Sequence, residues 1–250
     1  FEGVAKPVQV DAATQFQPTL DMVRGAWGPR TRGLLLGSPA NPTGTVIPAG
    51  ELRRIAEYVA LQGGILIMDE IYQGLVYGSE PSTVIGAPGE VVVVSSFSKY
   101  FCMTGWRLGW VVLPEERVRE FEKLAQHFFI CPATVAQHAA LAAFRPETLQ
   151  VLEARRAEFA RRRDFLLPAI ERAGLAVPAR PHGAFYVYVD CSRYGDAKHF
   201  ALSLLEREAV ATTPGTDFGQ NRTQRFVRFA YTRSMADLEE AAARLQRFCN

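Results

Sequence analysis

The chain has 250 residues, of which 48% are hydrophobic and 22% are charged. This is enough to bury a large core in one big domain or two smaller ones. Its 28 basic and 26 acidic residues leave a net charge of +2. The charge balance therefore gives no reason to expect a nucleic acid or an anionic membrane as a partner, and small molecules are the default ligands.

The cysteines and histidines form no pattern that is typical of a metal site. Cys102, Cys131, Cys191 and Cys249 lie far apart without a CxxC pair, and the four histidines include no HExxH. Neither a zinc site nor a disulfide framework is predicted, and a cytoplasmic location is the simplest expectation. No apolar run approaches the roughly 18 residues that a membrane-spanning helix needs.

The first half of the chain alternates short apolar strands with an amphipathic helix. The runs RGLLLGSP and GGILIMDE end in polar or turn residues, and PAGELRRIAEYVALQ between them has apolar residues at helical spacing. GEVVVVSSFSK and LGWVVLP have the unbroken apolar character of strands that are covered on both faces. These patterns predict a three-layer α/β structure around a mostly parallel sheet.

The second half begins with a long helical pattern from Pro146, which Pro168 is expected to kink or split. The segments GAFYVYVD, AKHFALSLLERE, AVATTPG, QRFVRFAY and MADLEEAAARLQRF then predict a smaller α+β unit. We place the domain boundary at the start of the long helix. This gives a large domain over residues 1–145 and a small domain over residues 146–250.

Polar groups follow three of the predicted strands, in SPANPTG, DEIY and SSFSK. Ligands of open α/β sheets collect beyond the carboxyl ends of the strands, so we expect the three loops to line one crevice. There the Lys99 amine could form a Schiff base with an aldehyde, although an ordinary surface ion pair is the alternative. The Asp69 carboxylate could meet a protonated pyridine nitrogen, or it could cap a following helix EIYQGL.

Further polar residues suit the other parts of a phosphorylated ring. The Tyr72 phenol could hydrogen-bond a ring oxygen, or Tyr72 could simply be a half-buried aromatic residue. Asn41 lies in the loop SPANPTG, whose prolines and glycine fix the backbone and could aim its amide, although turn formation alone would also explain this composition. Ser96, Ser98 and Arg107 suit a phosphate dianion.

Two other motif interpretations find less support. No GxxxxGK or GxGxxG motif occurs. The SxxK pattern of Ser96 and Lys99 also fits serine acyltransferases, but the chain has neither their SDN nor their KTG element.

Six motifs occur in the order in which they appear in one known family. They are SPANPTG, MDEIYQGLVY, SSFSKYFCMTGWRLGW, HGAFYVYVD, VATTPGTDFG and VRFAY. On these motifs the chain resembles the class I/II aminotransferases, which are pyridoxal 5'-phosphate (PLP) enzymes of fold type I. The resemblance extends over nearly the whole chain.

The resemblance implies a role for each matched residue. Lys99 forms the Schiff base with PLP and moves a proton at the substrate α-carbon, and Arg228 binds the substrate carboxylate as a bidentate pair. The catalytic residues are Lys99, Asp69 and Tyr72, and the cofactor is bound by Asn41, Asp69, Tyr72, Ser96, Ser98, Lys99 and Arg107. Asn41 also contributes to substrate binding, and its peptide bond to Pro42 is expected to be cis.

The resemblance also implies that the N-terminal third of the family's fold is missing. The chain starts at Phe1, and its opening FEGVAKPVQVD resembles a strand from the middle of the large domain. We therefore expect weak cofactor binding and little turnover from residues 1–250 alone. A homodimer is expected for the full-length parent, with small-molecule ligands and neither a nucleic acid nor a membrane as partner.

The expected function is transfer of an amino group between an L-amino acid and a 2-oxo acid. A lyase or decarboxylase with the same cofactor is an alternative that the motifs scarcely separate. An aminotransferase-like ligand-sensing domain of a transcription regulator is another, and a fragment that binds nothing is a third. Fold-level likeness alone does not decide among them.

Overall fold

The computed structural model describes residues 3–250, which divide into two compact units. The first unit comprises Pro18–Pro39 and Ile47–Arg156 together with the start of the chain up to Val8. The second comprises Gln9–Gln17, Ala40–Val46 and Ala157–Asn250. The division falls inside a long helix rather than at its start, and the boundary at residue 146 stays a prediction.

The first unit contains the four strands that the sequence predicts there and more helices than it predicts. The strands are β1 Gly33–Gly37, β2 Ile65–Asp69, β3 Glu90–Ser96 and β4 Gly109–Val112, and the helices are α1 Leu20–Ala26, α2 Ala49–Leu61, α3 Glu115–Phe129 and α4 Thr134–Ala143. Helix α5, Pro146–Arg172, begins in this unit. The predicted strand–helix–strand succession β1–α2–β2 is confirmed, while α1, α3 and α4 are additions to the predicted elements.

The sheet of the first unit has the order β1-β2-β3-β4. β1, β2 and β3 run parallel, and β4 pairs antiparallel with β3 at the edge. One face of this sheet packs on α1 and α2 through a core that includes Val23, Leu36, Ile55, Met68 and Val93. The mostly parallel α/β sheet that the sequence predicts is confirmed.

The opposite face is less covered than the unbroken apolar runs predict. Leu35 in β1 is 70% exposed and Val94 in β3 is 42% exposed. All four residues of β4 are exposed, as are Phe128 and Phe129 at the end of α3. The expectation that β3 and β4 are covered on both faces is therefore wrong, and the exposed face continues onto β1.

The second unit is an α+β layer of three antiparallel strands and three helical segments. Its strands are β5 Tyr186–Asp190, β6 Thr213–Pro214 and β7 Phe226–Ala230, in the order β5-β7-β6. Its helices are the end of α5, α6 Ala197–Glu208 and α7 Met235–Cys249. One sheet face, which includes Val187, Val189 and Val227, forms the core with these helices. Because side chains alternate along a strand, the other face presents Tyr186, Tyr188 and Arg228.

Two local expectations need correction. Helix α5 continues from Pro146 to Arg172 with Pro168 inside it, so it is not split there, and a kink at Pro168 stays a prediction. In FEGVAKPVQVD, residues 3–11 form no strand, and Phe1 and Glu2 lie outside the described residues. No helix in the described part of the chain combines the length and apolar character needed to cross a membrane.

Candidate active site

The carboxyl ends of β1, β2 and β3 lie level with one another. Gly37, Asp69 and Val94 are neighbours in register across the three strands. The Ser38 N–H donates to the Asp69 carbonyl at 3.1 Å, and the Glu70 N–H donates to the Val94 carbonyl at 2.9 Å. The Asp69 side chain and the polar segment that follows β3 therefore share one sheet edge.

Two adjacent acidic residues at this edge have opposite environments. Asp69 is exposed, and its Oδ1 accepts the Ile71 N–H at 3.0 Å. Glu70 is 4% exposed and accepts bonds from the Thr83 hydroxyl at 3.0 Å and the Val84 N–H at 3.1 Å. Burial raises the pKa of Glu70. Asp69 is therefore the carboxylate that a ligand can reach, while Glu70 holds the following loop.

Asp69 does not cap a helix. Residues 71–74 form a hydrogen-bonded turn. In it the Gln73 N–H donates to the Glu70 backbone carbonyl, and the Leu75 N–H donates to the Tyr72 backbone carbonyl. The capping alternative is therefore wrong, because no helix follows. This turn brings Tyr72 back beside the segment after β3.

Lys99 and Tyr72 are in contact. The Lys99 Nζ lies over the Tyr72 ring at 5.7 Å from its centroid, which is within the range of a cation–π interaction. Tyr72 is 5% exposed and Lys99 is half-buried. The chain's other lysines, Lys6, Lys123 and Lys198, are exposed. Lys99 is thus the lysine whose amine is partly withdrawn from water against an aromatic wall.

The segment from Ser96 to Leu108 folds into a compact loop rich in donors. The Ser96 hydroxyl donates to the Leu108 carbonyl at 3.0 Å and accepts the Ser98 N–H at 3.0 Å, and the two serine hydroxyls are 2.9 Å apart. The Thr104 hydroxyl donates to the Ser98 carbonyl at 2.5 Å, and Arg107 Nη1 donates to the Thr104 carbonyl at 2.8 Å. These bonds gather the two hydroxyls and the exposed guanidinium in one loop.

Arg107 has a left-handed backbone, with φ 55° and ψ 51°. Such a conformation costs a residue with a Cβ about 1 kcal/mol or more, and strained residues cluster at ligand sites. The strain is consistent with a loop whose shape serves to present Arg107.

A phenol next to Lys99 ties this loop to helix α5. The Tyr100 hydroxyl donates to Glu153 Oε1 at 2.6 Å. Burial, together with the bond to Glu153 and its charge, raises the pKa of Tyr100 to about 12. A Cβ on Gly74 would lie 2.5 Å from the Tyr100 ring, so only glycine allows the Tyr72 turn to pack this closely. Sequence reasoning missed this contact.

In the second unit, Asn41 and Arg228 are directly bonded. Arg228 Nη1 donates to Asn41 Oδ1 at 2.7 Å, and Arg228 Nη2 donates to the Thr213 hydroxyl at 3.2 Å. Because arginine can only donate, the Asn41 amide must turn its oxygen to Arg228. Its Nδ2 is then the donor that faces other partners. The peptide bond from Asn41 to Pro42 is cis, as the resemblance implies, and the bond from Ser38 to Pro39 is also cis.

The Asn41 loop is anchored by buried polar contacts. Gln17 Nε2 donates to the Thr45 carbonyl at 3.0 Å, and the Thr43 and Thr45 hydroxyls are 2.8 Å apart. The N–H groups of His182 and Gly183 both donate to the Gly44 carbonyl at 2.8 Å. These bonds fix the loop against the approach to β5, so that Asn41 is held beside Arg228.

The structure adds two aromatic residues that sequence reasoning did not assign. The Arg228 guanidinium carbon lies 4.2 Å from the Tyr186 ring centroid and 4.7 Å from the Phe218 ring centroid. Tyr186 could have been found from the alternation of GAFYVYVD, because β5 and β7 are adjacent strands. Phe218 lies in a 3-10 turn, Gly215–Phe218, whose position no sequence pattern indicates.

The residues of the first unit fit PLP by the chemistry of their donors. A half-buried amine, an exposed carboxylate and a phenol lie near a loop that carries two hydroxyls and a guanidinium. These groups match an aldehyde, a pyridine nitrogen, a ring oxygen and a phosphate. Among residues 3–250, no group of three or more histidine, cysteine or acidic side chains could hold a metal ion.

Comparison with known proteins agrees with this chemistry. The family model for aminotransferase class I and II matches residues 2–245. The chain therefore belongs to the class I and II aminotransferase family, and the resemblance noted from the sequence is confirmed.

The chain is similar to several aminotransferases over nearly its whole length. The chain is 43% identical over 235 residues to valine–pyruvate aminotransferase of Mycobacterium tuberculosis, covering 93% of this chain and 60% of that protein. It is 32% identical to aromatic-amino-acid aminotransferase 2 of Thermococcus litoralis, covering 97% and 64%. The structure of Thermus thermophilus aspartate aminotransferase with maleate matches with a TM-score of 0.90 at 36% identity, covering 96% and 63%. The chain thus spans about three fifths of the length of these relatives.

Proposed function

We propose that the chain is the PLP-binding part of an aminotransferase that moves an amino group between an L-amino acid and a 2-oxo acid. The observation that carries this proposal is the contact of the half-buried Lys99 amine with Tyr72, beside the strand end that presents Asp69. A pyridine aldehyde that is held covalently requires an amine for the aldehyde, a carboxylate for the ring nitrogen and a donor for the ring oxygen. Lys99, Asp69 and Tyr72 carry these three groups.

Each residue of this group has a separate task. When bound, PLP would supply an electron sink that stabilises negative charge at the substrate α-carbon. The Asp69 carboxylate would keep the ring nitrogen protonated, since an ion pair favours the charged partner. The Tyr72 phenol would donate to the ring oxygen, and its ring would limit the positions open to the Lys99 amine.

Lys99 has two roles in the proposal. Its amine would be the nucleophile that holds the cofactor in the resting protein. The same amine would also be the base that accepts the α-proton of the substrate amino acid. An exposed lysine would suit these tasks less well, because its amine is fully hydrated and spreads over many rotamers.

The Ser96–Arg107 loop would hold the phosphate. The Arg107 guanidinium keeps donors beyond the one that it gives to Thr104, and its planar fork suits a dianion. The Ser98 hydroxyl would add a neutral donor, and the Ser96 hydroxyl, 2.9 Å away, would orient it, because the single Ser96 hydrogen is already used within the loop. The tethering of the loop through Thr104 would reduce the ordering cost of binding.

Arg228 would bind the substrate carboxylate. Its guanidinium is partly buried against aromatic rings and bonded to Asn41, which is the setting of a preorganised carboxylate receptor. One relative was solved with maleate, a dicarboxylate. The names of the relatives include valine–pyruvate, aromatic-amino-acid and aspartate aminotransferases, so we propose only the general class of amino acid and 2-oxo acid as substrates.

The proposal for the whole protein is broader. The chain spans about three fifths of its relatives, so full activity, a homodimer and a cytoplasmic location are all proposed for a full-length protein.

A single-turnover experiment tests the function without requiring sustained catalysis. The chain would be saturated with PLP, mixed with an L-amino acid, and assayed for the matching 2-oxo acid. We expect oxo acid above the protein-free control, at most one equivalent per chain, from the wild type and none above that control from Lys99→Ala. Release of carbon dioxide in place of the oxo acid would instead favour a decarboxylase. Equal oxo acid from both proteins would contradict the proposal.

A further inference from the structure

The orientation of Arg228 is controlled by more than its hydrogen bonds. Its Nη1 and Nη2 atoms donate hydrogen bonds to Asn41 and Thr213. These two bonds prevent the guanidinium from rotating in its own plane. The Nε–H is buried, and among the described residues it has no hydrogen-bond partner. The stem of the side chain is therefore not fixed by a polar contact at Nε.

Aromatic rings supply the remaining restraint. The guanidinium carbon is 4.2 Å from the Tyr186 centroid and 4.7 Å from the Phe218 centroid, both well inside the cation–π range. Tyr186 belongs to β5, and Phe218 lies in the turn that follows β6, so the rings come from the segments on the two sides of β7. These two ring contacts restrict the tilt of the guanidinium plane, which the two terminal hydrogen bonds leave free.

Strand register places Tyr186 beside Arg228, and a turn that requires glycine places Phe218 there. Tyr188 is the residue of β5 directly opposite Arg228. Tyr186 lies two positions away on the same face and therefore diagonally across from Arg228. Phe218 ends a 3-10 turn that starts at Gly215. A Cβ on Gly215 would lie 2.5 Å from the Tyr188 hydroxyl and would also meet backbone oxygens, so the turn reaches β7 only with glycine there.

We propose that Tyr186 and Phe218 are positioning residues that hold the Arg228 guanidinium for a bidentate carboxylate. Bidentate binding requires both N–H groups to lie in the plane of the carboxylate, so a freely tilting guanidinium would lose affinity. The aromatic faces also exclude water from the cation, which strengthens its attraction for an anion. The inference rests on the proposed function only for the role of Arg228 as the carboxylate receptor.

The test uses the 250-residue chain and maleate as the probe. The Arg228 Nε–H signal is assigned in a nitrogen–proton NMR spectrum by its loss in Arg228→Lys, and maleate is then titrated at constant ionic strength. In the wild type we expect a proton signal shifted upfield by ring currents, and saturable binding. Phe218→Leu should move the signal downfield and weaken maleate binding by about three- to thirtyfold.

Further variants separate positioning from stability. Tyr186→Leu should act like Phe218→Leu, and Tyr186→Phe, which retains the ring, should bind maleate within about twofold of the wild type. Phe248→Leu is the matched control, since it removes another arginine–aromatic contact, Arg207 with Phe248 at 5.0 Å. It should change neither the Arg228 signal nor the affinity. Phe218 is only half-buried in a loop, so its replacement by leucine should leave the fold intact. Phe218→Leu therefore tests the positioning role even if Tyr186→Leu fails to fold.

The possible failures are distinguishable. Unchanged affinity and an unchanged Arg228 signal in Phe218→Leu would overturn the positioning role while leaving Arg228 as the receptor. Wild-type maleate binding by Arg228→Lys would overturn the carboxylate role itself, and with it the basis of the inference. Neither result depends on Lys99 or on bound cofactor, so the single-turnover experiment remains an independent test of the proposed function.

Discussion

Arg228 donates a hydrogen bond to Asn41 across 2.7 Å, although the two residues are 187 positions apart in the chain. The bond joins the central strand of the second unit's sheet to a proline-rich loop. It orients the Asn41 amide and at the same time occupies one of the five N–H groups of the guanidinium. The two residues therefore act as a pair.

The pair predicts different results for two substitutions of Asn41. Asn41→Ala removes one acceptor at an exposed position, which should cost about 1 kcal/mol and weaken maleate binding about fivefold. Asn41→Asp keeps the acceptor but adds a negative charge beside Arg228, so it should weaken binding more than tenfold. Calorimetric titration of the 250-residue chain measures both. Tighter binding by the aspartate variant than by the alanine variant would contradict the role assigned to this contact.

Gly44 is predicted to be essential for the shape of the Asn41 loop. Its φ is 67°, and a Cβ there would lie 2.6 Å from the Pro181 Cβ and 2.9 Å from two backbone oxygens. Gly44→Ala should lower the free energy of unfolding by at least about 2 kcal/mol and should also weaken maleate binding.

Gly63→Ala is the matched control for this prediction. Gly63 has a nearly equal φ of 65°, but a Cβ there would meet no atom within 4 Å. Only the backbone strain remains, so the cost should be about 1 kcal/mol. Denaturant unfolding measures both variants, and equal losses in the two would show that the close contacts of Gly44 do not matter.

The Tyr100–Glu153 contact predicts a pH dependence. The folded-state pKa of Tyr100 is raised to about 12 from its ordinary value near 10. The neutral phenol thus contributes stability that is fully present below about pH 10 and is lost as pH rises through about 12. The stability difference between the wild type and Tyr100→Phe should shrink across that range.

Absorbance titration of the phenolate checks the cause directly. The difference between the wild type and Tyr100→Phe should titrate near pH 12. In Glu153→Gln the Tyr100 pKa should fall, because the carboxylate contact is lost while the burial remains. A wild-type difference that already titrates near pH 10 would show that Tyr100 is not held as the structure describes.

Much of the fold follows from local pattern in the sequence. β1, α2, β2 and β3 have the periodicity and length of their elements, and each lies where its pattern predicts. The placement of Lys99 beside Tyr72 also follows, because both residues come just after adjacent parallel strands. Chain order and sheet topology are sufficient for such contacts.

Other features depend on long-range packing that local pattern does not encode. Helix α5 continues through Pro168, even though an internal proline removes a backbone hydrogen bond. The exposed Leu35 and Val94 have the same sequence character as buried strand residues, so the uncovered face could not be predicted from them. The Phe218 contact depends on a 3-10 turn that only Gly215 permits, and the Tyr100–Glu153 bond joins residues 53 positions apart.

The central claim is that Lys99 is the residue that binds the cofactor, and site-specific labelling tests it most directly. The 250-residue chain is incubated with PLP and reduced with borohydride to fix any amine-bound cofactor, and the labelled peptides are mapped by mass spectrometry. The chain's own Lys6, Lys123 and Lys198 are internal controls, because they are more exposed than Lys99 and would react first in a non-specific process. We predict that the label concentrates on Lys99 and that excess inorganic phosphate reduces it. A label spread over the exposed lysines with Lys99 unmodified would contradict the account.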